Sequence, residues 1–424
     1  MTVLPQNYLR TLDSIRDRCG QVYEKGQKDQ LDFFDVDDSK LPQIVDHVAS
    51  LTQRRFPDLS KIPPHSRLRH FGINDGLDRL QNIRETRWKK LDKIESARRL
   101  IDLVIASVLV DAGAGQTWKY KAKDGELIGR SEGLAVASFD MFEEGYFSSS
   151  KEVPDRVDVE GLAQLSIERM TQGFQVTSAN TMVGLEGRSN LLKGLSKVLE
   201  QQKKFFPTVD GQPRRPGNLV DYLLANVEED DNGKKSVSIE KLWEVIMSLA
   251  DVWPARVTIE GVKLGDVWPC SCLEDKGNYE NLVPFHKLSQ WLTYSLVEAI
   301  ESSIDLTIKG TEKMTGLPEY RNGGLLVDYG LLKLKPAQVK RGTSEGQELP
   351  TFEGSDSLIV EWRALTVIYL DKIHKAVEKK LGQDLVLAQV LEGGTWTAGR
   401  EIAATLRPDT AGPPIVMESD GTLF

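Results

Sequence analysis

Cysteine is scarce in this chain of 424 residues, which contains three: Cys19, Cys270 and Cys272. Three cysteines are too few for the disulfide framework of a small secreted domain, and the Cys270-Ser-Cys272 spacing differs from the spacing in zinc ribbons. We therefore expect reduced thiols and a fold that depends on its hydrophobic core. A chain of this length has ample apolar material for such a core.

Long hydrophobic runs are missing as well. The most apolar segment, residues 100–110, contains Asp102 and is shorter than the roughly 20 apolar residues that cross a bilayer. The first twenty residues include Arg10, Asp13 and Arg16, and they lack the apolar core and cleavage site of a secretory signal. These absences predict a cytoplasmic protein without a transmembrane helix.

The chain has no excess of positive charge. It has 54 basic and 63 acidic residues, which gives a net charge of -9. No overall field therefore attracts polyanions, so nucleic acid and anionic membranes are excluded as main partners. With 40% hydrophobic and 28% charged residues, the composition is typical of a folded globular protein.

Strong generic motifs of enzymes are absent. The sequence has no Walker loop, no Gly-x-Gly-x-x-Gly after a strand, no His-Glu-x-x-His and no Gly-x-Ser-x-Gly. Internal repeats and low-complexity tracts are also absent. The chemistry must therefore be inferred from local clusters of charged, aromatic and glycine residues.

The pattern of apolar residues predicts a mainly α protein of the α+β class, large and helical with small β-hairpin inserts. Spacings of three and four predict helices over residues 8–24, 41–55, 84–110, 284–304 and 358–381. We divide the chain into an N-terminal helical region, 1–115, and a main α-rich domain, 116–424, which contains the site. We expect the two to form a single compact unit.

Three short segments predict β-structure. Residues 118–128 alternate apolar with polar side chains and carry Asp124-Gly125 where a two-residue turn belongs, which predicts a hairpin. Residues 256–264 predict a second two-stranded piece. The apolar run at 325–329 predicts a strand.

Two glycine-containing segments are candidates for binding a phosphate. In Gly129-Arg-Ser-Glu-Gly133, Ser131 is placed to cap a helix, with Arg130 and Glu132 beside its free N–H groups. In residues 391–400, Gly394 precedes a helix that Thr395 is placed to cap, with Trp396 and Arg400 close behind. The alternative interpretation is a plainly capped helix at the first and a helix corner with an inward tryptophan at the second.

The helix predicted at 284–304 has a varied polar face. His286 lies above Gln290 and Lys287 above Trp291, because residues four apart share a helix face. These side chains are candidates for a site. A histidine in such a position is also often an ordinary hydrogen-bonded residue at a helix interface.

Our best candidate is the segment Gly316 to Gly324, followed by the predicted strand. It places a carboxylate, a phenol, a guanidinium and an amide on one glycine-rich turn, and Asp328 follows. The residues concerned are Glu319, Tyr320, Arg321 and Asn322. Gly323 and Gly324 would let a ligand approach the backbone closely. A salt-bridged surface loop is the alternative.

Two further groups interrupt apolar surroundings. Glu361 and Arg363 lie in a run that should be buried, so they must pair with each other or with the 319–328 turn. Asp266, Cys270, Cys272 and His286 together offer ligands that could bind zinc after folding.

The same segments resemble a known family. The matching strings are Arg-Ser-Glu-Gly-Leu-Ala-Val-Ala-Ser (130–138), Gly-Phe-Gln-Val (173–176), Val-Pro-Phe-His-Lys-Leu-Ser-Gln-Trp-Leu-Thr-Tyr-Ser-Leu (283–296), Gly-Leu-Pro-Glu-Tyr-Arg-Asn-Gly-Gly (316–324), Glu-Trp-Arg-Ala-Leu-Thr (361–366) and Leu-Glu-Gly-Gly-Thr-Trp (391–396). They resemble the fungal and bacterial uracil catabolism protein 4 family over nearly the whole chain. The resemblance implies a role in using pyrimidines as a nitrogen source, in a pathway that degrades a ribosylurea phosphate toward urea.

This resemblance suggests a phosphorylated ribosyl substrate and hydrolysis of its N-glycosidic bond, by analogy with glycoside hydrolysis. Glu319 or Asp328 would then orient water near the reacting carbon, with Glu361 and His286 as further catalytic candidates. The substrate-binding candidates are Arg130, Glu132, Lys287, Gln290, Trp291, Tyr320, Arg321, Asn322, Arg363, Gly394, Trp396 and Arg400, of which Arg130, Gly394 and Arg400 would hold the phosphate. A mainly helical protein with such a pocket is also similar to the helical N-glycosylases.

Two alternatives remain open. One is metal-assisted hydrolysis of an amide or of urea in the same pathway, with zinc held near Asp266, Cys270, Cys272 and His286. The other is a non-catalytic protein that binds the intermediate or serves as a scaffold for other uracil-catabolism enzymes.

Overall fold

The protein is mainly helical, as the sequence predicts. A computed structural model describes residues 4–72, 78–111, 113–115, 117–209, 211–253, 255–344 and 346–418. The helices are α1 (Pro5–Tyr8), α2 (Leu12–Gly26), α3 (Leu41–Arg55), α4 (Arg79–Glu85), α5 (Lys93–Leu109), α6 (Arg130–Glu143), α7 (Val159–Ala163), α8 (Ile167–Gly173), α9 (Leu185–Gln201), α10 (Leu219–Leu224), α11 (Ile239–Ser248), α12 (Lys287–Glu301), α13 (Tyr320–Asp328), α14 (Pro336–Gly342), α15 (Ser357–Leu381), α16 (Leu387–Val390) and α17 (Trp396–Leu406).

The strands are short and form small sheets. They are β1 (Phe34–Val36), β2 (Lys119–Lys121), β3 (Leu127–Gly129), β4 (Glu228–Glu229), β5 (Lys235–Ser238), β6 (Thr258–Ile259), β7 (Val262–Lys263), β8 (Val267–Pro269), β9 (Leu282–Pro284), β10 (Thr307–Lys309), β11 (Leu332–Leu334), β12 (Thr351–Glu353) and β13 (Val416–Glu418). The β2–β3 and β6–β7 pairs confirm the two predicted hairpins. The other sheets are β1–β11, β8–β9, β12–β13 and the three-stranded β10–β5–β4.

The chain forms two compact units, each assembled from segments that are distant in sequence. Among the described residues, unit 1 comprises those within 4–65, 255–290 and 312–418, and unit 2 comprises those within 66–253 and 291–311. The boundary that we place at residue 115 from the sequence lies inside unit 2. The division depends on long-range packing, which a local pattern of residues does not record.

Unit 1 is organised around the long helix α15. Asp356 caps its start by accepting a hydrogen bond from the Leu358 N–H, and Gly382 ends it with a left-handed φ of +64°. The helix packs against α2, α3 and α13, and α13 packs in turn against α17.

Unit 2 is built around α5, whose residues from Leu100 to Leu109 are all buried. Asp102 lies inside this apolar helix, where its carboxylate accepts hydrogen bonds from the N–H groups of Gly217 (2.7 Å) and Val157 (3.3 Å) and faces the Arg215 guanidinium at 3.3 Å. A buried charge needs such partners. The charged residue that interrupts this apolar run is therefore a packing element of unit 2.

Several predicted elements differ from the structure: α2 begins at Leu12 and α12 at Lys287, each later than predicted, and residues Leu282–Pro284 form β9. The strand predicted at 325–329 is wrong, because residues Tyr320–Asp328 form α13. A short apolar run does not by itself distinguish a strand from a buried helix, and the capping group at Glu319 decides the outcome. The helix predicted at 84–110 is shorter, since α4 ends at Glu85 and α5 begins after its cap, Asp92.

In the part of the chain that the structure describes, no helix combines the length and apolar character needed to cross a membrane. This agrees with the interruption of the most apolar segment by Asp102.

Candidate functional site

The start of α13 carries the strongest candidate, a segment of four residues that we call the Glu319 turn (Glu319–Asn322). The Glu319 carboxylate caps the helix by accepting hydrogen bonds from the N–H groups of Arg321 (2.7 Å) and Asn322 (2.6 Å). Each of its oxygens keeps a second lone pair for another donor. Burial raises the pKa of Glu319, although these bonds and the nearby charges of Lys287 and Arg321 oppose the rise.

The Glu319 turn also contains a buried side-chain oxygen that lacks a hydrogen-bond donor. The Asn322 side chain is 1% exposed and donates from Nδ2 to the Leu317 carbonyl at 3.1 Å. Its Oδ1 has no hydrogen-bond partner among the described residues. Buried acceptors without a donor are rare in folded proteins, so this oxygen indicates a place where a ligand could supply an N–H or O–H group.

The start of α12 supplies the positive charge beside Glu319. The Lys287 N–H donates to Asp266 at 3.0 Å, which anchors the first residue of the helix. Asp266 also accepts two hydrogen bonds from Arg363, at 2.9 and 2.7 Å, and one from the Trp268 indole at 2.6 Å. Arg363 therefore pairs with Asp266, and the pairing with Glu361 or the 319–328 turn that we expect from the sequence is wrong.

These partners fix the ionisation of Asp266. Burial alone would raise its pKa, but the Arg363 guanidinium and the other hydrogen bonds hold that pKa well below its ordinary range. Asp266 is thus a permanent carboxylate that positions the backbone of Lys287.

His286 lies directly before Lys287 in an unusual backbone conformation. Its φ is +47°, in the left-handed region that residues other than glycine seldom adopt. Its ring is buried, and Nε2–H donates to the Leu9 carbonyl at 2.8 Å. Burial lowers the pKa of His286, which favours the neutral ring.

Gln290 joins the first turn of α12 to the chain that leads to Glu319. Its Oε1 accepts a hydrogen bond from the Thr315 N–H at 2.9 Å, and its Nε2 donates to the Thr315 hydroxyl. Gln290 and Thr315 are both fully buried. Gln290, which the sequence predicts to bind substrate, therefore hydrogen-bonds the segment that precedes the Glu319 turn and helps to fix its position.

Helix α17 packs closely on the Glu319 turn. A Cβ atom on Gly399 would lie 2.3 Å from the Arg321 carbonyl oxygen, so the two backbones touch at this point. On the same helix, the Arg400 guanidinium stacks 4.8 Å from the centre of the Trp396 ring, and both side chains are half-buried. Trp396 and Arg400 thus belong to the same region of unit 1 as Glu319.

This contact gives a stability prediction. We expect Gly399→Ala to destabilise unit 1 by about 1–3 kcal/mol, because the added methyl group would overlap a backbone oxygen that has nowhere to move. Gly20→Ala is the matched control: Gly20 also lies inside a helix of unit 1, and nothing lies within 4 Å of its Cβ position. That variant should gain up to about 1 kcal/mol. Equal effects on the urea midpoints of the two variants would contradict the close contact.

A histidine–carboxylate pair that sequence reasoning missed lies beside Trp396. His65 Nδ1 is 2.7 Å from Glu392 Oε2, and the His65 ring lies 6.0 Å from the Trp396 ring, measured between centroids. The His65 and Glu392 side chains are 8% and 13% exposed. Glu392 stands inside the Leu-Glu-Gly-Gly-Thr-Trp string, and a carboxylate in a run that is otherwise small and apolar was the available signal.

Arg55 completes this group. It donates to the carbonyl oxygens of Glu392 (2.5 Å) and Gly393 (3.1 Å), and its Nη2 lies 3.6 Å from Glu392 Oε1. Trp396 and Gly399 are three residues apart, about 4.5 Å along the helix axis. The His65–Glu392 pair and the Glu319 turn therefore both adjoin the first two turns of α17.

Asp328, which the sequence places on a strand as a catalytic candidate, lies in a helix and is ion-paired. It is the last residue of α13, where its carboxylate forms two hydrogen bonds with Arg407, at 2.9 and 2.5 Å. Its side chain is 3% exposed. Each oxygen accepts one of these bonds, and the two-bond ion pair links α13 to the end of α17.

Glu361 is a structural anchor of unit 1. Its carboxylate accepts three hydrogen bonds of 3.0 Å from the N–H groups of Asp32, Phe33 and Phe34. Burial raises its pKa from 4.5 to about 7 in spite of these bonds. Glu361 accepts hydrogen bonds from the backbone N–H groups at and before the start of β1, and its side chain is buried away from any substrate.

The raised pKa of Glu361 gives a pH prediction. The folded protein binds this proton more tightly than the unfolded chain, so the stabilisation is present below pH 4.5 and is lost as the pH rises toward about 7. The free energy of unfolding of wild type relative to Glu361→Gln should therefore fall by about 3 kcal/mol over this range. Urea unfolding of both proteins at intervals from pH 4.5 to 8 measures this difference. A difference that is constant with pH would contradict it.

The glycines predicted to lie beside a ligand pack against other residues of the protein. A Cβ on Gly323 would lie 2.8 Å from the Trp362 ring, and one on Gly324 would lie 3.1 Å from Pro414. A Cβ on Gly394 would lie 2.5 Å from Val48. These glycines allow neighbouring side chains to pack closely against their helices.

The expected phosphate site at a helix start near Gly394 is also absent from the structure. Residues Leu391–Thr395 form a π-helical turn that continues directly into α17, so no free helix start exists there. Thr395 makes no capping hydrogen bond. Arg400 stacks on Trp396, but no helix start for binding a phosphate lies beside it.

Unit 2 has its own polar cluster, centred on the fully buried Arg67. The Arg67 guanidinium binds Ser107 (2.8 Å), the Ser131 hydroxyl (2.8 Å) and Asp111 (2.9 Å). The Ser131 hydroxyl donates to Asp111 at 2.7 Å and lies 3.2 Å from His70 Nδ1. The expected cap by Ser131 is wrong, because α6 starts after Gly129.

The remaining predicted site residues belong to this unit. Arg130 is exposed and has a left-handed φ of +57° at the first position of α6. Glu132 acts electrostatically on Arg67. The Trp291 ring lies 5.9 Å from the ring of His70. Unit 2 also has a cavity of about 680 Å³, lined by Arg69, Arg84 and Glu298 among others, and none of the sequence-predicted residues lines it.

The metal ligands expected from the sequence have other partners. Asp266 binds Arg363, His286 binds Leu9, and Cys270 and Cys272 contact each other at 3.5 Å. Across the described ranges, no three His, Cys, Asp or Glu side chains are grouped so that they could hold a metal ion. No observation therefore favours zinc at this place.

Comparison with known proteins supports one family. A family model described as "Protein of unknown function (DUF1688)" matches residues 8–424. Uracil catabolism protein 4 of Lachancea kluyveri is 41% identical over 442 residues, which cover 99% of each chain. Protein urg3 of Schizosaccharomyces pombe is 40% identical over 425 residues, which cover 98% of each. The family predicted from the six sequence strings is thereby confirmed, and the chain belongs to the uracil catabolism protein 4 family.

Proposed function

We propose that this protein acts in uracil catabolism and hydrolyses the N-glycosidic C–N bond of a ribosylurea phosphate, releasing urea. The pathway is suggested by the name of the Lachancea kluyveri relative. The reaction is suggested by the chemistry of the Glu319 turn. The observation that carries the proposal is the setting of Glu319: the residue is half-buried, each oxygen accepts one backbone hydrogen bond, and Lys287 and the unsatisfied Asn322 Oδ1 lie beside it.

The other candidate catalytic residues are less suited to the reaction. Asp328 is paired through both oxygens with Arg407, and Glu361 accepts three backbone hydrogen bonds. The His286 Nε2–H donates to Leu9. Glu319 is half-buried, borders Lys287 and lies next to an unsatisfied Asn322 oxygen, which favours it as the reacting carboxylate.

The bond to be broken joins the anomeric carbon of ribose to a urea nitrogen. As it breaks, positive charge develops on the sugar, and a carboxylate beside the anomeric carbon stabilises that charge and orients the attacking water. Glu319 fills this role in the proposal. The urea N–H groups are suitable donors for the Asn322 Oδ1, which would hold the leaving group.

The departing nitrogen must receive a proton. We assign this step to His65 as the general acid, because its ring lies 6.0 Å from the Trp396 ring at the start of α17 and its Nδ1 is held 2.7 Å from Glu392 Oε2.

The 5-phosphate requires cations near the same place. Lys287 lies close enough to Glu319 to influence its pKa, and Arg400 is held over the Trp396 ring. A guanidinium that is fixed by stacking loses little freedom on binding a phosphate. Lys287 and Arg400 therefore take the phosphate-binding role in the proposal.

The test is direct. Purified protein is incubated with the ring-opened ribosylurea 5-phosphate, and urea and ribose 5-phosphate are quantified against a heat-inactivated sample. Equal amounts of the two products would support N-glycosidic hydrolysis. Ammonia in place of urea would indicate amide hydrolysis, and intact substrate that is retained by the protein on gel filtration would indicate a binding protein.

A further inference from the structure

The strongest feature outside the proposed active site is the pair Cys270 and Cys272 in unit 1. Their sulfur atoms are 3.5 Å apart, in hydrogen-bond contact, and a disulfide needs an approach to about 2.05 Å. Both cysteines are free thiols. Their spacing and residue type suggest metal ligands, but among the described residues no third His, Cys, Asp or Glu is grouped with them to hold a metal ion.

The backbone holds the two thiols in this arrangement. Cys270 and Leu273 close a turn through a hydrogen bond of 3.2 Å from the Leu273 N–H to the Cys270 carbonyl. The Cys270 N–H donates to the Asn281 carbonyl at 2.8 Å, and the Ser271 hydroxyl donates to Asp32 at 2.6 Å. Because the turn is anchored at Cys270 and Ser271, the two sulfur atoms are held in contact at 3.5 Å.

The two thiols differ in access to solvent. Cys270 is 1% exposed, whereas Cys272 is of intermediate exposure. A partly exposed thiol meets small reagents more readily than a buried one. This difference gives each sulfur a separate role, with Cys272 as the attacking thiol and Cys270 as the resolving thiol.

We propose that Cys270 and Cys272 form a redox-active dithiol that is oxidised to an intramolecular disulfide by a small-molecule disulfide such as oxidised glutathione. The Cys272 thiolate attacks one sulfur of the small disulfide, whose S–S bond breaks and releases one thiol. The Cys270 thiolate then attacks the Cys272 sulfur of the mixed disulfide and releases the second thiol. Two electrons pass to the small disulfide, and the two cysteine protons end on the released thiols.

A disulfide across one intervening residue constrains little of the unfolded chain, so it stabilises the fold only slightly and is easily reduced again. The pair therefore suits a reversible modification and does not suit a structural cross-link. Cys19 provides an internal comparison, because it is fully buried in α2 and has no second thiol beside it.

Peptide mapping of the full chain tests the proposal. The folded protein is incubated with oxidised glutathione, quenched with acid, alkylated under denaturing conditions and digested with trypsin. The peptide Leu264–Lys276 contains both Cys270 and Cys272, and the peptide Cys19–Lys25 contains Cys19. We expect the first peptide to lose two hydrogen atoms and both alkyl groups, and the second to remain alkylated. Reduced glutathione should restore both alkylation sites.

Two variants separate the roles of the thiols. Cys270→Ser should accumulate a mixed disulfide with glutathione on Cys272, because the resolving thiol is missing. Cys272→Ser should remain unmodified at Cys270, which is buried. If a variant does not fold, the wild-type map decides the question alone. Full alkylation of the wild-type Leu264–Lys276 peptide after oxidation, or a disulfide that includes Cys19, would overturn the proposal.

Discussion

Replacement of Glu319 by glutamine is expected to reduce the rate of urea release from ribosylurea phosphate by about 10²–10⁴-fold. Glutamine retains an oxygen that can cap α13, but it has no negative charge to stabilise the developing positive charge on ribose or to orient water. The loss should appear in kcat, with KM changed much less, because the phosphate contacts remain. Steady-state assays of urea release measure both parameters.

A matched control separates this loss from damage to the helix start. Asp92 caps α5 by accepting a hydrogen bond of 2.9 Å from the Glu95 N–H, and it is exposed. Asp92→Asn also removes a capping charge and keeps a capping oxygen, so its activity should stay at the wild-type level. Asp92→Asn should lose no more than about 1 kcal/mol of stability, and Glu319→Gln should lose about 1–2 kcal/mol, because one of its two capping oxygens is replaced by an NH2 group. A folded Glu319→Gln protein with wild-type kcat would refute the assignment of Glu319.

The largest effect on stability is expected from Arg363→Met. Arg363 and Asp266 are 4% and 16% exposed, and the guanidinium also lies 4.0 Å from the centre of the Phe285 ring. Removal of the arginine leaves a buried carboxylate without its cation, a change that costs about 3–5 kcal/mol. Urea unfolding at pH 7 measures the loss.

Arg341→Met provides the comparison. Arg341 pairs with Asp356 in the same two-bond geometry, at 2.5 and 3.0 Å, but its side chain is 44% exposed. Solvent screens such a pair, so the loss should be about 1 kcal/mol or less. Equal losses in the two arginine variants would show that the burial of Asp266 and Arg363 does not matter. The double variant Asp266→Asn/Arg363→Met should recover part of the loss, since no unpaired charge remains.

Local patterns of the sequence determined much of the secondary structure. The helix predicted at 358–381 appears as α15, and the predicted Asp124-Gly125 turn lies between β2 and β3. These features depend on neighbours within a few residues, through capping, periodicity and turn geometry. The family was also predictable, because its six strings are long and specific.

The functions of individual charges were not predictable in the same way. Glu319, Asp328 and Glu361 are all carboxylates in apolar or glycine-rich surroundings, and nothing in the local sequence separates their roles. Their roles are separated by their tertiary contacts. Asp328 pairs with Arg407, which is 79 residues away in sequence, and Glu361 accepts hydrogen bonds from backbone N–H groups more than 320 residues away. His65 stands in a segment without any catalytic pattern, yet folding places it against Glu392.

The sequence by itself determined that this chain is a mainly helical protein of the uracil catabolism protein 4 family. It also determined which short segments carry unusual chemistry. The tertiary structure decided which of those residues are anchors and which keep a free face for a ligand. The reason is physical: a buried charge must find a partner, and the partner comes from whichever distant segment packs against it.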